Sequence, residues 1–130
     1  MARSSASPVI TEPTLRDLQG DLKAKSLPWS MAKGFDTSCP LSDFIPSDQI
    51  TKPQTIELSL YVNDELRQQG NSADMIHSIT DLIGAASTIF SLEEGDILLT
   101  GTPAGVARLI SGDRLKAQIS QLGNLIIDIR

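Results

Sequence analysis

"IELSLYVNDELRQQG", Ile56 to Gly70, is the stretch that settles the fold class. Ile56, Leu58, Leu60 and Val62 alternate with Glu57, Ser59, Tyr61 and Asn63, the period of two that a half-buried strand requires. Asn63 and Asp64 tolerate positive φ and suit a tight turn, so "ELRQQG" is expected to return as the antiparallel partner. Further along, Leu115, Ala117 and Ile119 alternate, Gly123 and Asn124 read as a turn, and Leu125, Ile127 and Ile129 alternate again to the end of the chain. "LEEGD" at 92–96 and "GD" at 112–113 read as turns, and "ILLTGTP" at 97–103 reads as a buried strand running into a glycine-proline loop.

Helical signals are fewer. Thr14 offers an N-cap with Asp17 three residues on, and Leu15, Leu18 and Leu22 recur at helical spacing, which predicts a helix over about 15–25 despite Gly20. Pro28 ends it, because it pushes Leu27 out of the α region. Thr80 is expected to cap a second helix whose apolar face is Leu82, Ile83, Ala86, Ile89 and Phe90. Residues 33–53 are turn-rich, and residues 1–12 read as a flexible lead-in to one domain over 13–130. Strands outnumber helices, so the expected class is α+β, rich in β structure, or a barrel-like domain.

With 130 residues, 40% hydrophobic and 21% charged, the chain can bury one core. Its net charge is −5 and its 11 Lys and Arg are scattered, so neither nucleic acid nor an anionic membrane surface is an expected partner. A single cysteine, Cys39, excludes an internal disulfide framework and fits a reducing compartment. No apolar run approaches the ~20 residues of a membrane span, and "MARSSASP" lacks the apolar core of a secretory signal.

Cys39 lies in "GFDTSCPLSDFIP", 34–46, with no histidine nearby, and reads as a small buried residue. His77, the only histidine, has no companion for zinc and reads as exposed or capped. "TGTPAGV", 100–106, combines glycines, a proline and threonine hydroxyls; such a loop can hold an oxyanion or a carboxylate, and a plain turn between strands fits it equally. Arg16 and Gln19 fall on one helix face and could offer a guanidinium and an amide to a carboxylate, although solvated surface residues are the plainer reading.

Taken together, "RDLQ" at 16–19, "LPWSMAKGFDTSCPLSDFIP" at 27–46, "LYVNDELRQQG" at 60–70, "LEEGDILLTGTPAGV" at 92–106 and the closing "GD" resemble the fumarylacetoacetate hydrolase family, most of all its acylpyruvate hydrolase and oxaloacetate decarboxylase branch. The resemblance implies a mixed β-roll, commonly dimeric, and cleavage of 1,3-dicarbonyl acids through a metal-bound enolate, with Mg²⁺ or Mn²⁺ as the ion. On that basis Lys33 is the catalytic cation, Arg16 and Gln19 contact substrate oxygens, and Thr102 holds the substrate carboxylate. Glu12 stands where the family has a metal-binding aspartate, and Cys39 is scaffold. The family's Glu-x-Glu metal motif and His-Glu pair lie upstream of its "RDxQ" helix, and no Glu-x-Glu occurs in this sequence. The expected fold is therefore an incomplete β-roll, the C-terminal portion of a catalytic domain. Three outcomes follow: acylpyruvate hydrolysis or oxaloacetate decarboxylation completed by residues elsewhere, an inactive remnant that binds a full-length paralogue, or an oxaloacetate keto-enol tautomerase. The expected partners are a small 2-oxo acid and either a second copy or such a paralogue, in the cytoplasm or the mitochondrial matrix.

Overall fold

The computed structural model describes residues 6–130. Its elements, in chain order, are β1 (Ala6–Ser7), α1 (Arg16–Ala24), α2 (Ser30–Lys33), β2 (Ile45–Pro46), β3 (Glu57–Val62), β4 (Glu65–Asn71), α3 (Ile79–Ser87), β5 (Arg114–Ile119) and β6 (Gly123–Asp128). The expected α+β class is observed: a four-stranded sheet ordered β4-β3-β5-β6, antiparallel at every pairing, with the β1-β2 pair beside it.

The β3-β4 hairpin forms where its sequence places it. Val62 pairs with Glu65, and Asn63 and Asp64 between them have φ of 50° and 66°, the left-handed pair of a two-residue hairpin turn. Farther from the turn the register slips. Leu60 faces Gln68 while Tyr61 faces Leu66, which leaves Arg67 as the extra residue of a β-bulge. A strand without the bulge would put Leu66 and Gln68 on one face. With it, Leu66 stays exposed and Gln68 turns inward to 9% exposure.

Cross-strand pairing explains the core. Leu58 faces Ile119, Leu60 faces Ala117, Val62 faces Leu115, and Leu115 in turn faces Ile127, so the apolar residues of three strands share one side. Val9, fully buried, packs with Ala117 and Leu122 over that side, flanked by Ile45, Ile50, Leu60, Ile119 and Leu125. The Val9 amide donates to Ser42 Oγ at 2.8 Å, its carbonyl accepts from the Ser42 amide at 3.0 Å, and Ile10 bridges Leu41. Within the stretch read as a lead-in over 1–12, Ala6 and Ser7 pair with β2 and Val9 is packed on the sheet as an apolar plug. Residues 1–5 lie outside the described part.

Five further expectations need correction. Thr14 does not cap α1; Leu15 occupies the N-cap without a side-chain bond, and its amide donates instead to the Ala32 carbonyl at 3.1 Å. Ser78, not Thr80, caps α3, in a reciprocal capping box with Asp81. That helix ends at Ser87, where the hydroxyls of Ser87 and Thr88 bond back to carbonyls at 2.7 Å, leaving Ile89 and Phe90 beyond it and exposed. "ILLTGTP" forms no strand: nothing among the described residues pairs with it, and Ile97, Leu98 and Leu99 are 41%, 42% and 44% exposed. The last turn falls at 120–122, with Gln121 at φ 66°, so Gly123 and Asn124 already belong to β6, which ends at Asp128 rather than Arg130.

Asp113 ties the two hairpins together. Its carboxylate accepts from the Ile110 amide at 2.9 Å and from Asn63 Nδ2 at 2.8 Å, while Asn63 Oδ1 accepts from the Arg114 amide. The Ile110 bond, then the Asn63 bond, hold the Asp113 carboxyl below its ordinary value of 3.8. A depressed carboxyl stabilises the fold fully above its unfolded value and loses that contribution as pH falls through the folded one. Asp113→Asn, with one acceptor oxygen for two donors, is expected to lower the urea midpoint at neutral pH, and the gap to the unaltered chain should close below pH 3.8. Leu115, 2% exposed at the centre of the sheet, should cost about 2–5 kcal/mol when cut to alanine, read from the same unfolding curves.

Candidate functional site

Two structural units carry the residues of interest. The first is the α1-α2 corner. Ala32 is fully buried and its carbonyl receives the Leu15 amide, so the first turn of α1 is fixed against α2. This brings Glu12, just before α1, to Lys33 at the end of α2: Lys33 Nζ lies 3.6 Å from Glu12 Oε2, with both side chains a little over one-third exposed. Such a half-exposed pair contributes at most about 1 kcal/mol to stability, so its significance is where it holds the charges. Arg16 and Gln19 follow on α1, the first exposed and the second half-buried.

The second unit is the loop 101–106, clamped on β4. Gln68 Nε2 donates to Thr102 Oγ1 and to the Pro103 carbonyl, both at 2.9 Å. Gly105 has φ of 103°, and a Cβ there would run into the carbonyl oxygen of the bulged Arg67. A Cβ on Gly70 would come within 3.0 Å of the Pro103 ring. Close approach on this scale is what the missing side chains permit. Thr102 itself is exposed.

Glu12, Arg16, Gln19, Lys33 and Thr102 all border the same broad, open hollow, but so does about half the chain, so the hollow alone does not bring Thr102 to the α1-α2 corner. Direct contact links only Glu12 with Lys33 in that set. Cys39, expected to be buried, is exposed on the same concave side, while its neighbour Ser38 is buried in its place. His77 is exposed, one residue before the Ser78 cap. Sequence reading missed Gln68 altogether: Arg67, Gln68 and Gln69 are all polar, and nothing local marks which of them turns inward.

The donor set was weighed against the expected Mg²⁺ or Mn²⁺. Among the described residues no group of three His, Cys, Asp or Glu side chains converges. Glu12 is the carboxylate at the corner and is already neutralised by Lys33; the adjacent Thr11 Oγ1 is buried with no partner but is a neutral hydroxyl. Mg²⁺ requires about six oxygens in octahedral geometry, so these residues do not by themselves fit a divalent ion.

The sequence pattern of the family described as fumarylacetoacetate (FAA) hydrolase C-terminal matches residues 8–130. The chain belongs to the fumarylacetoacetate hydrolase family. Within that family it is 57% identical over 103 residues to the oxaloacetate tautomerase YcgM of Escherichia coli (strain K12), covering 78% of this chain and 47% of the relative. It is 46% identical over 116 residues to the mitochondrial oxaloacetate tautomerase FAHD1 of Homo sapiens, covering 89% and 52%. The chain therefore spans about half the length of the curated relatives it matches. A solved fumarylpyruvate hydrolase from Pseudomonas aeruginosa, in complex with Mn²⁺ and pyruvate, superposes with a TM-score of 0.91 at 33% identity, over 95% of this chain and 53% of the other. No helix among the described residues is long and apolar enough to cross a membrane.

The clamp on the loop gives a direct test. Gly105→Ala places a side chain at positive φ against the Arg67 carbonyl and is expected to cost about 1–3 kcal/mol in urea unfolding. Gly20→Ala, in a helix with open space around the position, should leave stability unchanged or raise it by up to about 1 kcal/mol.

Proposed function

We propose that this family member promotes enolate chemistry on a small 2-oxo dicarboxylic acid, with keto-enol tautomerisation of oxaloacetate as the reaction. The observation that carries the reading is the Lys33–Glu12 pair at the α1-α2 corner, with Arg16 and Gln19 following on α1. The names of the relatives, oxaloacetate tautomerases in both cases, supply the substrate class.

In tautomerisation solvent water takes the C3 proton of oxaloacetate, the C–H electron pair becomes the C2=C3 double bond, the carbonyl π pair moves onto the C2 oxygen, and that oxyanion takes a proton back from solvent. A cation beside that oxygen stabilises charge that exists only after the proton has left, which lowers the barrier rather than merely tightening binding. Lys33 is assigned this role, with Glu12 directing its ammonium. Arg16 and Gln19 hold substrate oxygens, the guanidinium suited to a carboxylate, and the Thr102 hydroxyl takes the other carboxylate. Acylpyruvate hydrolysis and oxaloacetate decarboxylation share the enolate requirement and differ in the bond that breaks. The Mn²⁺ in the fumarylpyruvate hydrolase belongs to that protein; here no step is routed through a metal, because the described residues do not form its site. A cytoplasmic or mitochondrial-matrix location is in line with the free Cys39 and with the mitochondrial relative.

A second reading, a remnant that associates with a full-length paralogue or a second copy, is supported by one observation. Ile97, Leu98, Leu99, Val106 and Ile110 leave apolar side chains exposed on neighbouring stretches of chain, the kind of surface that a partner can cover. The deciding experiment is deuterium exchange at C3 of oxaloacetate, followed by NMR with the purified chain, with and without Mn²⁺. Acceleration over buffer, falling about 10²-fold or more in Lys33→Met and less in Glu12→Gln, is the expected result. No acceleration by the unaltered, folded chain in either condition overturns the enzymatic reading and favours the partner.

A further inference from the structure

We propose that Gln68 is a positioning residue: its amide nitrogen engages the Thr102 hydroxyl oxygen so that the hydroxyl proton points into the concavity, and loop 101–106 is thereby built to receive an anionic oxygen, a carboxylate of the ligand. The polarity follows from the second bond. Gln68 Nε2 lies 2.9 Å from the Pro103 carbonyl, and a carbonyl oxygen can only accept, so the atom facing it must be the NH₂ and not the amide oxygen. One hydrogen of that NH₂ goes to Pro103; the other lies toward Thr102 Oγ1 at 2.9 Å. The hydroxyl oxygen is then an acceptor from Gln68, and its own proton has to leave in another direction. Thr102 is exposed whereas Gln68 behind it is buried, so that direction is outward.

The arrangement is held from behind. Gln68 is inward-facing because the Arg67 bulge shifts the phase of β4, and at 9% exposure it is shielded from water that could compete for its hydrogens. A donor on an exposed loop, oriented by a buried amide, selects for acceptor-rich ligand groups. A charged oxygen gains most from it, since hydrogen bonds to ionised groups are about twice as strong as neutral ones. The inference deepens the functional reading above and rests on Thr102 facing the ligand, but the orientation of Gln68 stands on geometry alone.

The test separates the two. In the ¹⁵N-labelled full chain, the Gln68 side-chain NH₂ is assigned by its loss in Gln68→Glu. Both protons should exchange slowly with solvent, and Thr102→Val should shift one and spare the other; a fast-exchanging pair overturns the proposal. Oxalate, a dicarboxylate probe, is then titrated. Binding is expected to weaken by about tenfold or more in Gln68→Glu, whose carboxylate would draw the Thr102 proton inward, and also in Thr102→Val. Thermal melts confirm that each variant is folded; if Gln68→Glu is not, Thr102→Val carries the comparison. Equal oxalate affinity in folded variants and the unaltered chain overturns the proposal. Protected Gln68 protons in a chain that does not bind oxalate at all support the hydroxyl's orientation while overturning the functional reading.

Discussion

One extra residue in β4 sets the geometry of half the candidate site. The bulge at Arg67 reverses which side of the strand the following residues face, and three features depend on that reversal. Gln68 enters the interior, where its amide can reach two acceptors on the 101–106 loop. The Arg67 carbonyl comes up against Gly105, at a spacing only glycine permits. Gly70 then meets the Pro103 ring. Remove the extra residue and Gln68 would lie on the outer face with Leu66, and the loop would lose its buried anchor.

The other half depends on a different economy of contacts. α1 buries no residue, and α2 buries only Ala32. What places Glu12 near Lys33 is the hydrogen bond from the Leu15 amide to the Ala32 carbonyl, backed by Val9 seated on the sheet. Chemistry-bearing side chains thus sit on a short helical corner, and the strands provide the surface against which that corner is fixed. Loops and helix ends carried by a rigid sheet are the usual place for such groups.

How much of this was legible in the sequence varies with range. The β3-β4 hairpin was readable because alternation and the Asn63-Asp64 turn are local signals. The bulge was not, since "RQQ" is polar throughout and hides the change of phase. Ser78 was passed over for Thr80 because both precede the same apolar run; only the reciprocal bond with Asp81 distinguishes them. Ile97, Leu98 and Leu99 have the composition of a buried strand, but a strand exists through its partner, which no property of those residues reveals. Glu12 and Lys33 came to notice through the family resemblance, and the ion pair that joins them is a tertiary contact with no local signature. Val9 escaped notice for a like reason: a short apolar pair near the start of the chain is unremarkable until a cavity exists for it.

The single backbone bond between α1 and α2 has a dynamic consequence. Segments with few buried apolar contacts open locally at a fraction of the global unfolding free energy, and here such a segment holds the charged pair. In hydrogen-exchange terms the paired strands β3, β4, β5 and β6 with Val9 are expected to form a slow unit, and the two short helices a fast one. Fold stability and the occupancy of the charged corner are therefore separate quantities. Strengthening the sheet will not sharpen the corner, whereas anything that bridges α1 to α2 will, by closing an opening that leaves the rest of the molecule intact.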